Sequence, residues 1–157
     1  LDQIIYHSER RTGNFDRSLA YYMESKNMLL GDVITSLDTY FKQCSMMVTA
    51  RSLANLGAVL ANNGVKPWDG KRIISVEGAR CIKSLMMTTG LYNQSGTYSR
   101  LIGVPTKSGV GGGLMSAAPH RYGIGIFSPA LDKAGNSVAG LELLKDIVED
   151  LEQDIFD

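Results

Sequence analysis

The sequence predicts an α+β fold, with a mainly helical region over residues 1–96 and a small antiparallel sheet plus a covering C-terminal helix over residues 97–157. Three observations carry this expectation. Apolar residues recur at spacings of three and four along much of residues 1–90, the signature of amphipathic helices. From about residue 97, short apolar stretches are punctuated by Gly and Pro, as strands joined by tight turns are. After the Gly135-Asn136 turn, one apolar stripe runs from Leu141 to Ile155.

The elements follow in order. "FDRSLAYYMESK" (15–26) puts Leu19, Tyr22 and Met23 on one helical face, and "DVITSLDTYFKQCS" (32–45) does the same with Val33, Leu37, Tyr40, Phe41 and then Cys44. "TARSLANLGAVLANNG" (49–64) has Thr49 as its N-cap and Gly64 as its stop. "VKPWDGKRII" (65–74) is turn-rich, with Pro67 and Asp69-Gly70. Ser75 opens a helix over "SVEGARCIKSLMMTTG", which ends at Gly90. Two or three strands are expected beyond residue 97, followed by a helix whose stripe is Leu141, Leu144, Ile147, Val148, Leu151 and Ile155.

Composition narrows the function classes. The 157 residues make one domain or a large piece of one, 44% apolar and 20% charged, which suits a globular core. Sixteen basic and sixteen acidic side chains cancel, so no overall field favours nucleic acid or an anionic membrane. No apolar run reaches the roughly 20 residues of a membrane span. Cys44 and Cys81 lack CxxC spacing and a local histidine, and they read as buried free thiols in a reducing, cytoplasmic setting. His7 and His120 have no paired metal spacing, and Met46, Met47, Met86 and Met87 read as core filler.

The stretch "PTKSGVGGG" (105–113) resembles a phosphate cradle at first sight. A Walker loop needs its glycines before the lysine and a helix after it, and here Lys107 precedes the glycines and a strand follows. Glycines in a strand can also mark a bulge. Lys-Ser-Gly on an edge strand fits better with the serine acyl-enzyme fold of β-lactamases and penicillin-binding proteins, where strand backbone borders the site and an N–H can stabilise an oxyanion.

The surrounding text is more specific. "YHSERRTGNFDRSLAYYM", "TYFKQCSMMVTARSLANLGAVLANNGV", "TTGLYNQSG", "VPTKSGVGGGLM" and "FSPALDKAGNSVAG" together resemble the serine-dependent glutaminases, which hydrolyse L-glutamine to L-glutamate and ammonia. The resemblance runs in order over essentially the whole chain. It implies the C-terminal part of a single catalytic domain with the β-lactamase-like fold, over residues 1–157. It further implies substrate binding by Glu9, whose carboxylate suits an α-ammonium group, and by Tyr40 and Tyr92 lining the glutamine pocket. By the same resemblance Tyr92 is a candidate proton shuttle, and Val110 supplies an oxyanion-hole N–H. Lys107 and Ser108 support the site with positive potential and a hydrogen bond. No metal or organic cofactor is implied, and the expected partners are L-glutamine, the remainder of the same domain and further copies in a homo-oligomer.

Two departures stand out. Asp16 occupies a substrate-binding position that is asparagine in the family pattern, and an ionised carboxylate cannot donate to a substrate carboxylate as an amide can. The family nucleophile lies in a Ser-x-x-Lys motif, yet the residues three before each lysine are Met23, Thr39, Asn63, Trp68, Arg80, Val104, Ala130 and Glu142. Thr39 has the right spacing but lies inside a helical pattern. The expectation is therefore a fragment, inactive by itself, whose nucleophile lies in a preceding N-terminal half. Its apolar helix faces would pack against that half. The alternative is a non-catalytic amino-acid-binding or degenerate glutaminase-like module. An acyl-enzyme fold acting on another amide or a β-lactam is a further alternative.

Overall fold

A computed structural model describes residues 1–156, which divide into two units, Leu1–Val48 and the described residues from Thr49 onward. In the first unit Asp2 caps α1 (Gln3–Thr12), its carboxylate accepting from Ile4 N at 2.9 Å and Ile5 N at 3.0 Å. Helix α1 stops at Gly13, where a Cβ would lie 2.7 Å from the Phe41 ring. Helix α2 (Asn14–Ser25) follows directly, with no side-chain cap. Asp32 caps α3 (Val33–Cys44) by accepting from Thr35 N at 2.7 Å. The buried stripe of α3 is Val33, Leu37 and Phe41, four residues apart each time, and with Tyr6 it makes a small core. Tyr6 donates its hydroxyl proton to Asp38, which also pairs with Lys42 at 2.6 Å.

The second unit is layered. Strands β1 (Thr106–Ser108), β2 (Gly113–Ala117) and β3 (Gly123–Phe127) form an antiparallel meander in chain order, with Lys107 opposite Met115 and Leu114 opposite Ile126. Alternation along the strands divides their side chains between two faces. Leu114 and Ile126 join Leu141, Leu144 and Val148 of α7 (Val138–Asp150) and Ile102 of α6 (Ser95–Ile102). On the other face Ala117 meets Leu60 and Ala61 of α4 (Ala50–Ala61), and Ala79 and Met86 of α5 (Val76–Thr89) complete that cluster. Helix α4 comes down onto sheet backbone: a Cβ at Gly125 would stand 2.0 Å from Ala50 O, and one at Gly123 would stand 2.0 Å from Ala58 N.

Most of the expected elements are present with their expected punctuation. Thr49 and Ser52 form a reciprocal capping box, Ser75 accepts from Gly78 N at 3.0 Å, and Gly64 ends its turn at φ +87°. Several expectations need correction. Residues 95–102 are helical rather than the beginning of the sheet region, because Ile102 is buried and Gly103 supplies a left-handed stop at φ +65°. Cys44 and Cys81 are free but exposed, since each lies off the buried stripe of its helix. Tyr40 shares that outward position on α3. Met86 is core, whereas Met46 and Met47 are exposed and Met87 is half-buried. Leu19, Tyr22 and Met23 are all exposed, and α2 buries no residue within the described chain. Helix α7 ends at Asp150, so Leu151 and Ile155 lie beyond it and are exposed.

Candidate active site

Each unit gathers its own set of the sequence-predicted residues. In the first, Glu9 on α1 and Asp16 on α2 are half-buried, and Tyr40 projects from α3 one turn before Cys44. Contact with Cys44, then burial, then the negative charges of Cys44, Asp16 and Glu9 push the Tyr40 hydroxyl up to about 12. Tyr40 therefore stays a neutral donor at physiological pH, in one electrostatic neighbourhood with both carboxylates. A separate hollow of about 380 Å³ in this unit is lined by Arg10, Arg17, Asp38 and Phe41 among others, and contains none of these three.

In the second unit Tyr92, Lys107 and Val110 converge. Tyr92 opens a single 3-10 turn (Tyr92–Gln94) with φ +55°, a left-handed conformation that costs a non-glycine residue energy. Ser95 fastens this turn, accepting from Leu91 N at 2.9 Å and donating to Tyr92 O at 2.8 Å. Lys107 points off the edge strand β1 and sets its Nζ 4.9 Å from the centroid of the Tyr92 ring. Burial holds the Lys107 ammonium below the usual lysine range, and the same group donates to the Ser108 carbonyl.

Val110 sits in the turn between β1 and β2, closed by Gly112 N to Gly109 O at 2.9 Å and Gly109 N to Gly113 O at 2.9 Å. Gly112 adopts φ +89° there, and a Cβ on it would meet Ser128 O at 2.5 Å. No acceptor among the described residues takes the Val110 N–H, which leaves it available to an incoming oxyanion. Gly135 closes the cluster, since a Cβ built on it would lie 3.4 Å from both Tyr92 Cε2 and Val110 Cγ1.

Ser108 is placed differently. It alternates inward from Lys107, is 2% exposed, and donates its hydroxyl proton to Asn136 Oδ1 at 2.6 Å. Asn136, fully buried, and Gly135 were legible only as a turn; nothing in the sequence marks them as neighbours of Tyr92. Among the described residues no group of three His, Cys, Asp or Glu could hold a metal ion.

A layered α+β domain whose Lys-Ser-Gly edge strand faces a tyrosine turn is of the β-lactamase-like class. A family model described as Glutaminase matches residues 1–156, and the chain belongs to that family. It is 60% identical over 156 residues to Glutaminase 1 of Clostridium perfringens (strain 13 / Type A), covering 99% of this chain and 51% of that protein. It is 48% identical over 152 residues to Glutaminase of Clostridium botulinum (strain Loch Maree / Type A3), covering 97% and 50%. Among solved structures, the Bacillus subtilis glutaminase YbgJ, in covalent complex with 5-oxo-L-norleucine formed by reaction with 6-diazo-5-oxo-L-norleucine, superposes with a TM-score of 0.94. The identity is 40%, over 98% of this chain and 55% of that one. The chain spans about half the length of the curated relatives it matches.

Proposed function

We propose that residues 1–157 are the C-terminal part of a catalytic domain that hydrolyses L-glutamine to L-glutamate and ammonia. The observation that carries this reading is the convergence of Tyr92, from one segment, with Lys107 and Val110 of the β1–β2 hairpin, three positions assigned to the glutaminase site from sequence. In the proposed reaction a serine from a Ser-x-x-Lys motif outside these residues attacks the side-chain amide carbon, forming a C–O bond. Its proton passes to a neighbouring base, and the oxyanion accepts the Val110 N–H. Collapse breaks the C–N bond as a proton reaches the nitrogen, with Tyr92 the shuttle, and ammonia leaves. Water then attacks the ester, releasing glutamate and returning the proton to serine. Glu9 holds the α-ammonium group, and Tyr40 and Asp16 line the rest of the substrate.

The chemistry of the Bacillus relative supports nucleophilic attack. 6-Diazo-5-oxo-L-norleucine carries a diazoketone where glutamine carries its amide, and its capture by YbgJ as 5-oxo-L-norleucine keeps the ketone. The new bond therefore forms at the adjacent diazo carbon as N2 leaves, which points to a nucleophile next to the amide position. A cytoplasmic, homo-oligomeric enzyme completes the proposal. The test uses the native polypeptide that contains residues 1–157, assayed for ammonia release and for the site of labelling by 6-diazo-5-oxo-L-norleucine. Glutamine hydrolysis is expected, with the label on a serine of Ser-x-x-Lys outside these residues, and neither activity nor label from residues 1–157 alone. Glutamine binding without hydrolysis or label would establish a non-catalytic amino-acid-binding module instead. Hydrolysis of a β-lactam without activity on glutamine would assign the fold another substrate.

A further inference from the structure

Asn136 is wholly buried, yet it is bonded to two of the segments that build the Tyr92 cluster. Its Nδ2 donates to Leu91 O at 3.2 Å and to Gln94 Oε1 at 2.6 Å, one residue before Tyr92 and two after it. Its Oδ1 accepts from Ser108 Oγ at 2.6 Å, on the strand that carries Lys107. The direction of each bond is settled by chemistry. A backbone carbonyl can only accept, so the amide nitrogen must face Leu91, and the amide oxygen must then face Ser108. Both amide protons are thus committed to the tyrosine turn, and the Ser108 proton favours Asn136 Oδ1 at 2.6 Å over Gly90 O at 3.4 Å.

The backbone of Asn136 is fixed as well. Its N–H donates to Asp132 Oδ1 at 3.0 Å, and Asp132 N donates back to Asn136 O at 2.8 Å. The residue before it, Gly135, is the one whose added Cβ would touch both Tyr92 and Val110. A single side chain therefore joins the Tyr92 turn to the edge strand, at the point where the chain passes beside Val110. Tyr92 needs such a tie, because its left-handed backbone persists only if surrounding bonds over-determine it.

We infer that Asn136 is a positioning residue for the glutaminase reaction: it holds the left-handed Tyr92 turn at a set distance from Lys107 and Val110 without touching substrate. This rests on the functional reading above. Asn136→Asp keeps the shape but turns a two-proton donor into an acceptor facing Leu91 O and Gln94 Oε1. The test compares Asn136→Asp with the parent in the native protein containing residues 1–157. One arm measures kcat and KM for glutamine. The other records fluorine NMR of protein carrying 3-fluorotyrosine, with the Tyr92 signal assigned by its loss in Tyr92→Phe.

The expected result is a displaced Tyr92 signal and a kcat lower by about 10- to 100-fold, with KM within about threefold of the parent. A folded variant whose Tyr92 signal does not move, or whose kcat stays within about twofold, overturns the inference. If Asn136→Asp does not fold, Gln94→Met removes one of the two acceptors and is expected to move the same signal with a smaller loss of kcat; no movement overturns the inference there too. A parent without glutaminase activity would remove the functional reading, and the Tyr92 signal would still decide whether Asn136 holds that turn.

Discussion

Tyr40 and Tyr92 are both tyrosines at the protein surface, 47% and 39% exposed, and they are held there by different means. Tyr40 stands on regular helix, and its direction follows from burial of Leu37 and Phe41 on the neighbouring stripe. Once α3 forms, Tyr40 can point only outward, towards the side that Cys44 also takes. Tyr92 stands on strained backbone, and the turn that carries it is held by Ser95 three residues on and, from elsewhere in the chain, by Asn136, which donates to Leu91 O and Gln94 Oε1. The first unit thus places its candidate residues by helical phase. The second does so by tertiary hydrogen bonds and by backbone-to-backbone approach that only glycine permits.

Substitutions should separate these two modes, and the largest effect is expected in the second unit. Gly125→Val would drive a side chain into the α4 backbone, where even a Cβ lies 2.0 Å from Ala50 O and 2.6 Å from Ala54 N. A loss of at least about 3 kcal/mol is expected, read from urea unfolding or from failure to recover soluble protein. A parent-like midpoint would mean that the α4–β3 contact is looser than described.

Phe41→Ala tests the other mode. It removes the largest fully buried side chain of the small first core, with an expected cost of about 3 kcal/mol. Because Phe41 fixes the phase of α3, glutamine KM should rise alongside, while kcat in the protein that remains folded should change little. A fall in kcat with KM unchanged would contradict the role assigned to helical phase.

Asp16→Asn is expected to have a smaller effect. It replaces an acceptor with a donor, and a regained hydrogen bond of about 1 kcal/mol would lower the glutamine KM by about fivefold. An unchanged or higher KM would mean that position 16 does not meet the substrate carboxylate.

The smallest effect is on pH dependence. The Asp132 carboxyl is held below the usual carboxylate range, first by the Asn136 N–H and then by those of Ala134 and Gly135 and the Gln94 side chain. A carboxyl with a depressed folded value adds stability above its unfolded value, about 4, and loses it as the pH falls through the folded one. Asp132→Asn should therefore show a shallower fall of Tm between about pH 5 and pH 3 than the parent. Parallel curves would mean that the loop around Asn136 does not depend on the Asp132 charge.

Helix content, caps and stops were legible in the sequence because they depend on local bonding. Thr49 and Ser75 cap through their own side chains, and Gly64 supplies its own positive φ. The edge position of Lys107 was legible from Lys-Ser-Gly with its following glycines, and the strand alternation that turns Ser108 inward follows from the same register. Helix α6 was missed because "SGTYSRLI" is poor in strong helix formers, and its helicity comes from packing Ile102 and Tyr98 against the main core. The exposed thiols and methionines were misread because helical spacing shows which residues share a face but leaves open which face the rest of the chain covers.

By itself, then, the sequence determined the order and limits of most helices, the antiparallel sheet and its edge strand, and the family to which the chain belongs. These rest on caps, turns and periodicities that act over a few residues. Only the tertiary structure decided that Tyr92 meets Val110 beside Gly135 and Lys107 over its ring, and that a buried Asn136 ties two of their segments together. Such contacts join residues 28 and 45 positions apart in the chain, and no local pattern specifies which distant acceptor will satisfy a buried amide.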